Sequence, residues 1–249
     1  MISIKNKQAI VKMRIAGEKL ADIFERLSVL IIPGVNSLEI DSWITKQLHN
    51  AELTPRSIGY RGYQHASCIS VNDEIIHGVP ASNKILKEND LVKVDVCASW
   101  KGYCADMARC FFVGNPGSVG YKLACVAKLA LDHGITFAKA GNRLTDISWA
   151  IQKEVESNGY SVIRDFAGHG IGKLMHEDPE IPNYGDPGHG PLLREGMTFA
   201  IEPMIVQGDH KVYVDDDGWT VKTVDKSLAA HIEDTVVITT NGPEIITRL

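Results

Sequence analysis

The chain has 249 residues, a formal net charge of −5 and 44% hydrophobic residues, enough apolar material for a substantial core. It carries no dense lysine or arginine run to serve a nucleic acid, and no apolar run long enough to span a bilayer. Its five cysteines (Cys68, Cys97, Cys104, Cys110 and Cys125) are odd in number and form no CxxC pair, which argues against a disulfide framework or a zinc knuckle and for a reducing compartment.

Residues 5–31 place Ile10, Met13, Ala16, Leu20, Ile23, Phe24 and Leu27 at helical spacing, a charged amphipathic pattern without the apolar core of a signal peptide. Pro33-Gly34 ends that helix. Residues 36–50 predict a second helix, with Asn36 and Glu39 in capping-box positions and Thr54-Pro55 beyond its end. A polar, aromatic-flecked loop, SIGYRGYQHAS, leads into the strand-like CISVN and NDEIIHGVP. Residues 91–114 then read as two apolar β-runs about a glycine-bearing turn, a hairpin signal. With the turn centred between Trp100 and Lys101, Asp95 lies directly opposite Asp106. Opposed residues on one face hold their Cβ atoms about 4.5–5.5 Å apart, so two acids there repel unless a cation sits between them. Solvated acids on an edge face are the alternative. Apolar neighbours, and no lysine or arginine to neutralise both acids, favour a shared metal ion.

Past Asn115-Pro116-Gly117 the pattern restarts with a long helix over 121–140, a break at Gly141 and a helix over 144–157. Leu38, Ser42 and Trp43 recur as Leu144, Ser148 and Trp149 at the same spacing. With the repeated order of long helix, glycine break, second helix and strands, this predicts a duplication. The expected fold is α+β, with halves of roughly 1–115 and 116–249 packed about a pseudo-twofold axis into one catalytic domain. A site between such halves draws ligands from both. The second half ends in the strand candidates MTFAIEPMIV, HKVYVDDD, WTVKT and HIEDTVVITT, and the glycine- and proline-rich span 183–191 predicts a surface loop.

The run from Gly168 to Lys173, GHGIGK, is not a phosphate loop, because Leu174 follows the lysine. Glycines flanking His169 instead let the backbone pack closely while the imidazole points into a cleft. His176 follows seven residues later without an HExxH pattern, and no GxSxG elbow is present. Glu202 in FAIEPM and Glu233 in HIEDTVVIT stand among apolar neighbours, and a buried carboxylate needs a partner. A structural salt bridge explains any one of them alone. Together, Asp95, Asp106, His169, Glu202 and Glu233 make a carboxylate-rich set with one imidazole, suited to two divalent ions. His77 reads either as a packed histidine or, with His176, as a hydrogen-bond donor in the cleft.

Five segments carry a resemblance: NDEIIHGVP, DVCASWKGYCADMARCFFVG, GHGIGKLMHEDPEIPNY, GMTFAIEPM and GWTVKTVDKS with IEDTVVIT. In order and spacing they resemble the methionine aminopeptidases, pita-bread metallopeptidases. The first helix at the start of the chain and the compact stretch from Glu202 to Glu233 resemble type I. The resemblance implies two pseudo-symmetric halves about a dinuclear site, and removal of an N-terminal methionine that precedes a small residue. It implies that Asp95, Asp106, His169, Glu202 and Glu233 ligate two divalent ions per chain (Mn, Fe, Co or Zn), with Asp106 and Glu233 bridging, Asp95 on one ion and His169 and Glu202 on the other. Glu202 is then the proton carrier, His77 and His176 contact the substrate, and Tyr60, Tyr63, Cys68 and Trp219 form the methionine pocket. The expected partners are N-terminal methionine peptides and nascent chains, with a ribosome contact left open. A cytoplasmic monomer touching neither membrane nor nucleic acid is expected. Ser57, Arg61, Met175 and the run Ala230-His231-Ile232-Glu233-Asp234 depart from the commonest pattern, and they bear on pocket shape and rate rather than on the metal set. The run Ile-Glu-Asp-Thr also resembles the Xaa-Pro aminopeptidases and prolidases, the alternative reading. A metal-free binding module of the same fold is the remaining one.

Overall fold

The computed structural model describes residues 2–115 and 117–249, so Pro116, at the centre of the expected break between the halves, lies outside the described residues. Helix α1 (Lys7–Leu27) starts at Asn6, whose side chain accepts from the Ala9 N–H at 2.9 Å, and ends in a 3-10 turn over Ser28–Leu30. It buries Met13, Leu20, Ile23 and Leu27, the stripe expected from the sequence. Helix α2 (Ser37–Asn50) is capped by Asn36, which accepts from the Glu39 N–H at 3.0 Å. Glu39 takes the Asn36 side-chain amide at 2.5 Å rather than its backbone N–H, so half of the expected capping box forms.

Strands β1 (Thr54–Pro55), β2 (Cys68–Val71) and β3 (Glu74–Ile76) precede the central hairpin, β4 (Leu91–Trp100) and β5 (Tyr103–Phe112). Helices α3 (Ser118–Phe137) and α4 (Leu144–Ser157) follow. The chain then runs through β6 (Ser161–Val162), β7 (Ala167–Gly170), β8 (Glu177–Pro182), β9 (Thr198–Ile201) and β10 (Met204–Val206). It ends with β11 (Val212–Val214), β12 (Val221–Thr223), β13 (Ala229–His231), β14 (Glu233–Thr239) and β15 (Gly242–Ile245). Strands β1, β6, β7, β8 and β15 have no counterpart in the sequence reading: β1 and β6 are only two residues long, and glycines, prolines and acids hide any alternation in the others.

One antiparallel sheet runs in the order β1-β4-β5-β14-β9-β7-β8, with β2 added on β4 and β15 on β14. Two three-stranded sheets, β13-β10-β6 and β11-β12-β3, complete the set. The β4–β5 register differs from the expected one. Lys101 and Gly102 both have positive φ, 47° and 77°, so the loop is a two-residue turn centred on them, and Trp100 pairs with Tyr103. A turn of this hand needs positive φ at both central residues, and Gly102 meets that need without strain. Asp95 therefore faces Ala108 and Asp106 faces Cys97, so the two acids are diagonal rather than opposed. The shift is two residues, an even number, and both still point to the same face.

The stretches expected as continuous strands at 197–206 and 231–240 each break in two. Pro203 has no N–H to continue the ladder, so β9 stays in the large sheet while β10 joins a small one. The partner chain breaks at the same level, at Ile232, whose N–H reaches the Pro203 carbonyl at 3.4 Å. Glu202, His231 and Glu233 thereby stand at one corner where two sheets part. Two separate apolar cores lie beneath. One joins α1 and α2 to Val92, Val94, Val96 and Met107 of the hairpin. The other joins α3 and α4 to Phe199, Ile201, Val236 and Ile238. The repeated Leu, Ser and Trp fall in the first two turns of α2 and α4, equivalent places over the two cores.

Candidate metal centre and substrate cleft

A cleft of about 680 Å³ opens over the sheet between the two cores, and every residue singled out from the sequence lines it. The hairpin brings Asp95 from β4 and Asp106 from β5. Asp106 is fastened to the other half by Thr235 of β14: its N–H donates to Thr235 Oγ1 at 2.8 Å, and that hydroxyl donates back to the Asp106 carbonyl at 2.8 Å. Glu233 opens β14 opposite Ala108, the same residue that Asp95 faces from β4.

His169 comes from β7, and its flanking glycines are required by close packing. A Cβ on Gly168 would lie 2.5 Å from the Ala200 carbonyl oxygen, and one on Gly170 would lie 2.1 Å from that of Asp178. The His169 Nδ1 contacts the Gly170 carbonyl at 2.9 Å, which assigns the proton to Nδ1 and leaves the Nε2 lone pair free. That Nε2 stands 3.5 Å from Glu202 Oε1 and 4.0 Å from Asp106 Oδ2. Asp106, His169 and Glu233 each offer one donor atom within 4.8 Å of the others.

No lysine or arginine among the described residues pairs with Asp95, Asp106, Glu202 or Glu233; the ion-pair contacts of this set are to histidines alone. Asp106 Oδ1 and Glu233 Oε1 are buried with no hydrogen-bond partner among the described residues. Burial pushes the Asp106 and Glu202 carboxyls up to about 8, with Glu202 adding to the rise at Asp106. Burial, then the neighbouring Asp106, raises Asp95 and Glu233 as well. Burial takes His169 down to about 3 and His77 to about 4, so both imidazoles are neutral at pH 7. Crowded carboxylates with orphaned oxygens beside a neutral imidazole fit divalent cations: a cation supplies the charge that protons otherwise must.

The cleft wall is aromatic. Tyr63 and Trp219 meet edge to face with centroids 4.9 Å apart, and the Tyr63 hydroxyl donates to the Ser67 carbonyl at 2.9 Å. Cys68 pairs with Asp95 across β2 and β4, so the pocket adjoins the acids. His176, exposed at the mouth, lies between Tyr60 (5.2 Å) and His169 (4.4 Å), measured between ring centroids. His77 has a left-handed backbone, φ 57°, and its ring rests edge-on against Phe166 at 5.9 Å.

Several working residues escape the sequence reading. Asp41 of α2 ties down the pocket loop, its Oδ1 accepting from the N–H groups of Ala66 and Ser67 at 3.0 Å each and from the Ser67 hydroxyl at 2.8 Å. No local pattern marks that role, because the partners lie some two dozen residues away. Phe166 was likewise unmarked. His231 was legible: two positions before Glu233, it shares that residue's face. Asp234 points the other way and is fully buried, held by Arg109 at 2.6 Å, by Arg248 at 2.5 Å and by the Thr247 hydroxyl at 2.7 Å.

Residues 11–240 match metallopeptidase family M24. The chain is 46% identical to the methionine aminopeptidase of Clostridium acetobutylicum over 247 residues, 99% of each chain. It is similar in structure to the methionine aminopeptidase of Thermotoga maritima, with a TM-score of 0.98, 44% identity and full coverage of both chains. It also resembles the prolidase of Pyrococcus furiosus, with a TM-score of 0.78 and 25% identity, over 99% of this chain and 65% of that one.

Proposed function

The chain belongs to metallopeptidase family M24, and from that premise we propose how its cleft removes an N-terminal methionine. It is a divalent-metal-dependent aminopeptidase with the α+β pita-bread fold. Two ions per chain, drawn from Mn, Fe, Co or Zn, are assigned to Asp95, Asp106, His169, Glu202 and Glu233, with Asp106 and Glu233 shared. The observation that carries this assignment is the pair of buried, orphaned oxygens on Asp106 and Glu233 beside the free lone pair of His169. Ions bound there polarise the scissile carbonyl and make water acidic enough to ionise near neutral pH.

The residues divide the remaining work. Glu202, with one oxygen 3.5 Å from the His169 Nε2, takes the proton from the attacking water and returns it to the leaving amine. His176, at the cleft mouth over His169, donates an N–H to the oxygen that gains charge in the tetrahedral state. His77, fixed against Phe166, hydrogen-bonds the scissile amide. The methionine side chain lies among Tyr60, Tyr63, Cys68 and Trp219. An apolar pocket discriminates by only about 1–3 kcal/mol per methylene, so charged and branched residues are rejected strongly and close isosteres weakly.

The whole chain acts as one catalytic domain, a monomer, on methionine-headed peptides and nascent chains. Five free thiols support a reducing, cytoplasmic setting. The Xaa-Pro reading has less support, since the relatives aligned over nearly their whole length are named methionine aminopeptidases. Release of methionine from Met-Ala-Ser is compared with cleavage of an Xaa-Pro dipeptide, each with chelator and with Mn, Fe or Co added back. Methionine release lost on chelation and regained with metal is expected. Preferential Xaa-Pro cleavage, or full activity in verified metal-free protein, overturns the assignment.

A further inference from the structure

Glu202 presents its two oxygens to two different imidazoles. Oε1 faces His169 at 3.5 Å, and Oε2 faces the Nε2 of His231 at 3.3 Å. His231 is 1% exposed, and neither of its ring nitrogens has a hydrogen-bond partner among the described residues. An imidazole sealed in the interior with both nitrogens unspent is unusual, since buried polar groups are ordinarily paired. Its backbone is firmly placed: it closes β13 opposite Met204, and its carbonyl accepts from the Cys110 thiol at 3.4 Å. Its side chain is aimed at the acids, as the contact with Glu202 shows.

Two groups of donors result. Asp106, His169 and Glu233 form one, and Glu202, His231 and Glu233 form the other, each with its donor atoms within 4.8 Å of one another. Each group has two carboxylates and one imidazole, and Glu233 belongs to both. We propose that His231 is a metal ligand, its Nε2 joining Glu202 and Glu233 about one ion. The inference rests on the dinuclear reading above and changes its donor set from one nitrogen to two. Imidazole favours the later divalent metals, so a second one shifts the site's preference from Mn toward Co and Zn. The competing role is that of a positioning residue, in which His231 orients Glu202 by a hydrogen bond and touches no ion.

The test counts ligated imidazoles in unmutated protein first. Protein loaded with two equivalents of Co(II) is examined by proton NMR in H₂O, where each ligated imidazole gives one strongly shifted exchangeable N–H signal. Two such signals are expected, one of them lost in His231→Gln. That variant should also bind Co(II) at one of its two sites ~10–100-fold more weakly, at least the loss that removal of an outer-shell partner brings. Its Mn(II) affinity should fall less. Circular dichroism and thermal melting of the metal-free variant check that it folds, with His231→Asn as the second substitution. One shifted signal in the wild type overturns the proposal and leaves the two-ion reading standing. Two signals that persist in either folded variant also overturn it, by assigning the second ligand to another histidine. Failure of the wild type to retain any ion overturns both readings.

Discussion

Replacing Asp106 by asparagine separates the two roles assigned to it, the proposed one of metal ligand and that of a charge the fold must carry. In the metal-free protein its carboxyl is raised from 3.8 to about 8, by burial first and then by Glu202. A carboxyl raised in the folded state makes the fold bind a proton that the unfolded chain releases above about pH 4. Stability is therefore lost as pH rises from about 4 to about 8, and is level beyond. At pH 7 the interval is about three pH units, and at about 1.4 kcal/mol for each the metal-free fold carries a burden of ~4 kcal/mol. Asparagine does not ionise, so metal-free Asp106→Asn should exceed the wild type by up to that amount at pH 7, by somewhat more at pH 8, and match it near pH 4. With metal the gap closes, and the order reverses only above about 1,000 times the Kd. A ligand at 1,000 times its Kd adds ~4 kcal/mol to the wild type, which the variant forgoes. Urea unfolding from pH 4 to pH 8, with chelator and with Co(II), reads both effects. A metal-free variant less stable than the wild type at pH 8 would refute the reasoning, because Asp106 would then be neutralised by protein groups.

Two further outcomes follow from the same geometry. His176→Ala should lower kcat by ~10²–10³-fold, the loss typical of one oxyanion donor. Metal analysis should find its ion content unchanged, and loss of an ion would make His176 a ligand. Asp234→Asn should destabilise the protein by ~3 kcal/mol in urea, the low end for breaking a buried pair, since Arg109 and Arg248 are 21% and 29% exposed and regain some hydration. Saturating metal should still restore its stoichiometry, and a lost ion would place Asp234 in the metal centre instead.

The cleft was legible in outline because its chemistry is carried by residue types that burial makes costly. Two acids on one hairpin, one histidine between glycines and two glutamates in apolar strands all reached the same cleft. The hairpin register was misplaced by two residues because the hand of the turn, not the centre of the apolar pattern, selects the paired residues. The breaks in the two long strands were hidden for a related reason: Pro203 was visible, but the partner break at Ile232 follows only once the strands are paired. Asp41 acts through contacts too distant in sequence for any pattern to record. Asp234 looked like a pocket departure beside Glu233, yet successive residues on a strand face opposite ways, and its partners are Arg109 and Arg248.

That alternation has a bearing on how reliably β14 finds its place. Glu233 and Asp234 are adjacent acids, one in the cleft and one beneath two arginines. A slip of a single residue would set Asp234 in the cleft, a carboxylate again, and Thr235 beneath the two arginines. Charge in the cleft alone therefore does not tell the correct pairing from this mistake. Thr235 breaks the ambiguity. Its hydroxyl both accepts from and donates to the backbone of Asp106, and its own N–H meets the Thr247 hydroxyl at 3.1 Å, contacts that valine in its place after a slip would forfeit. One small hydroxyl thus proofreads the alignment of two halves, and does so at the residue that must face the ions.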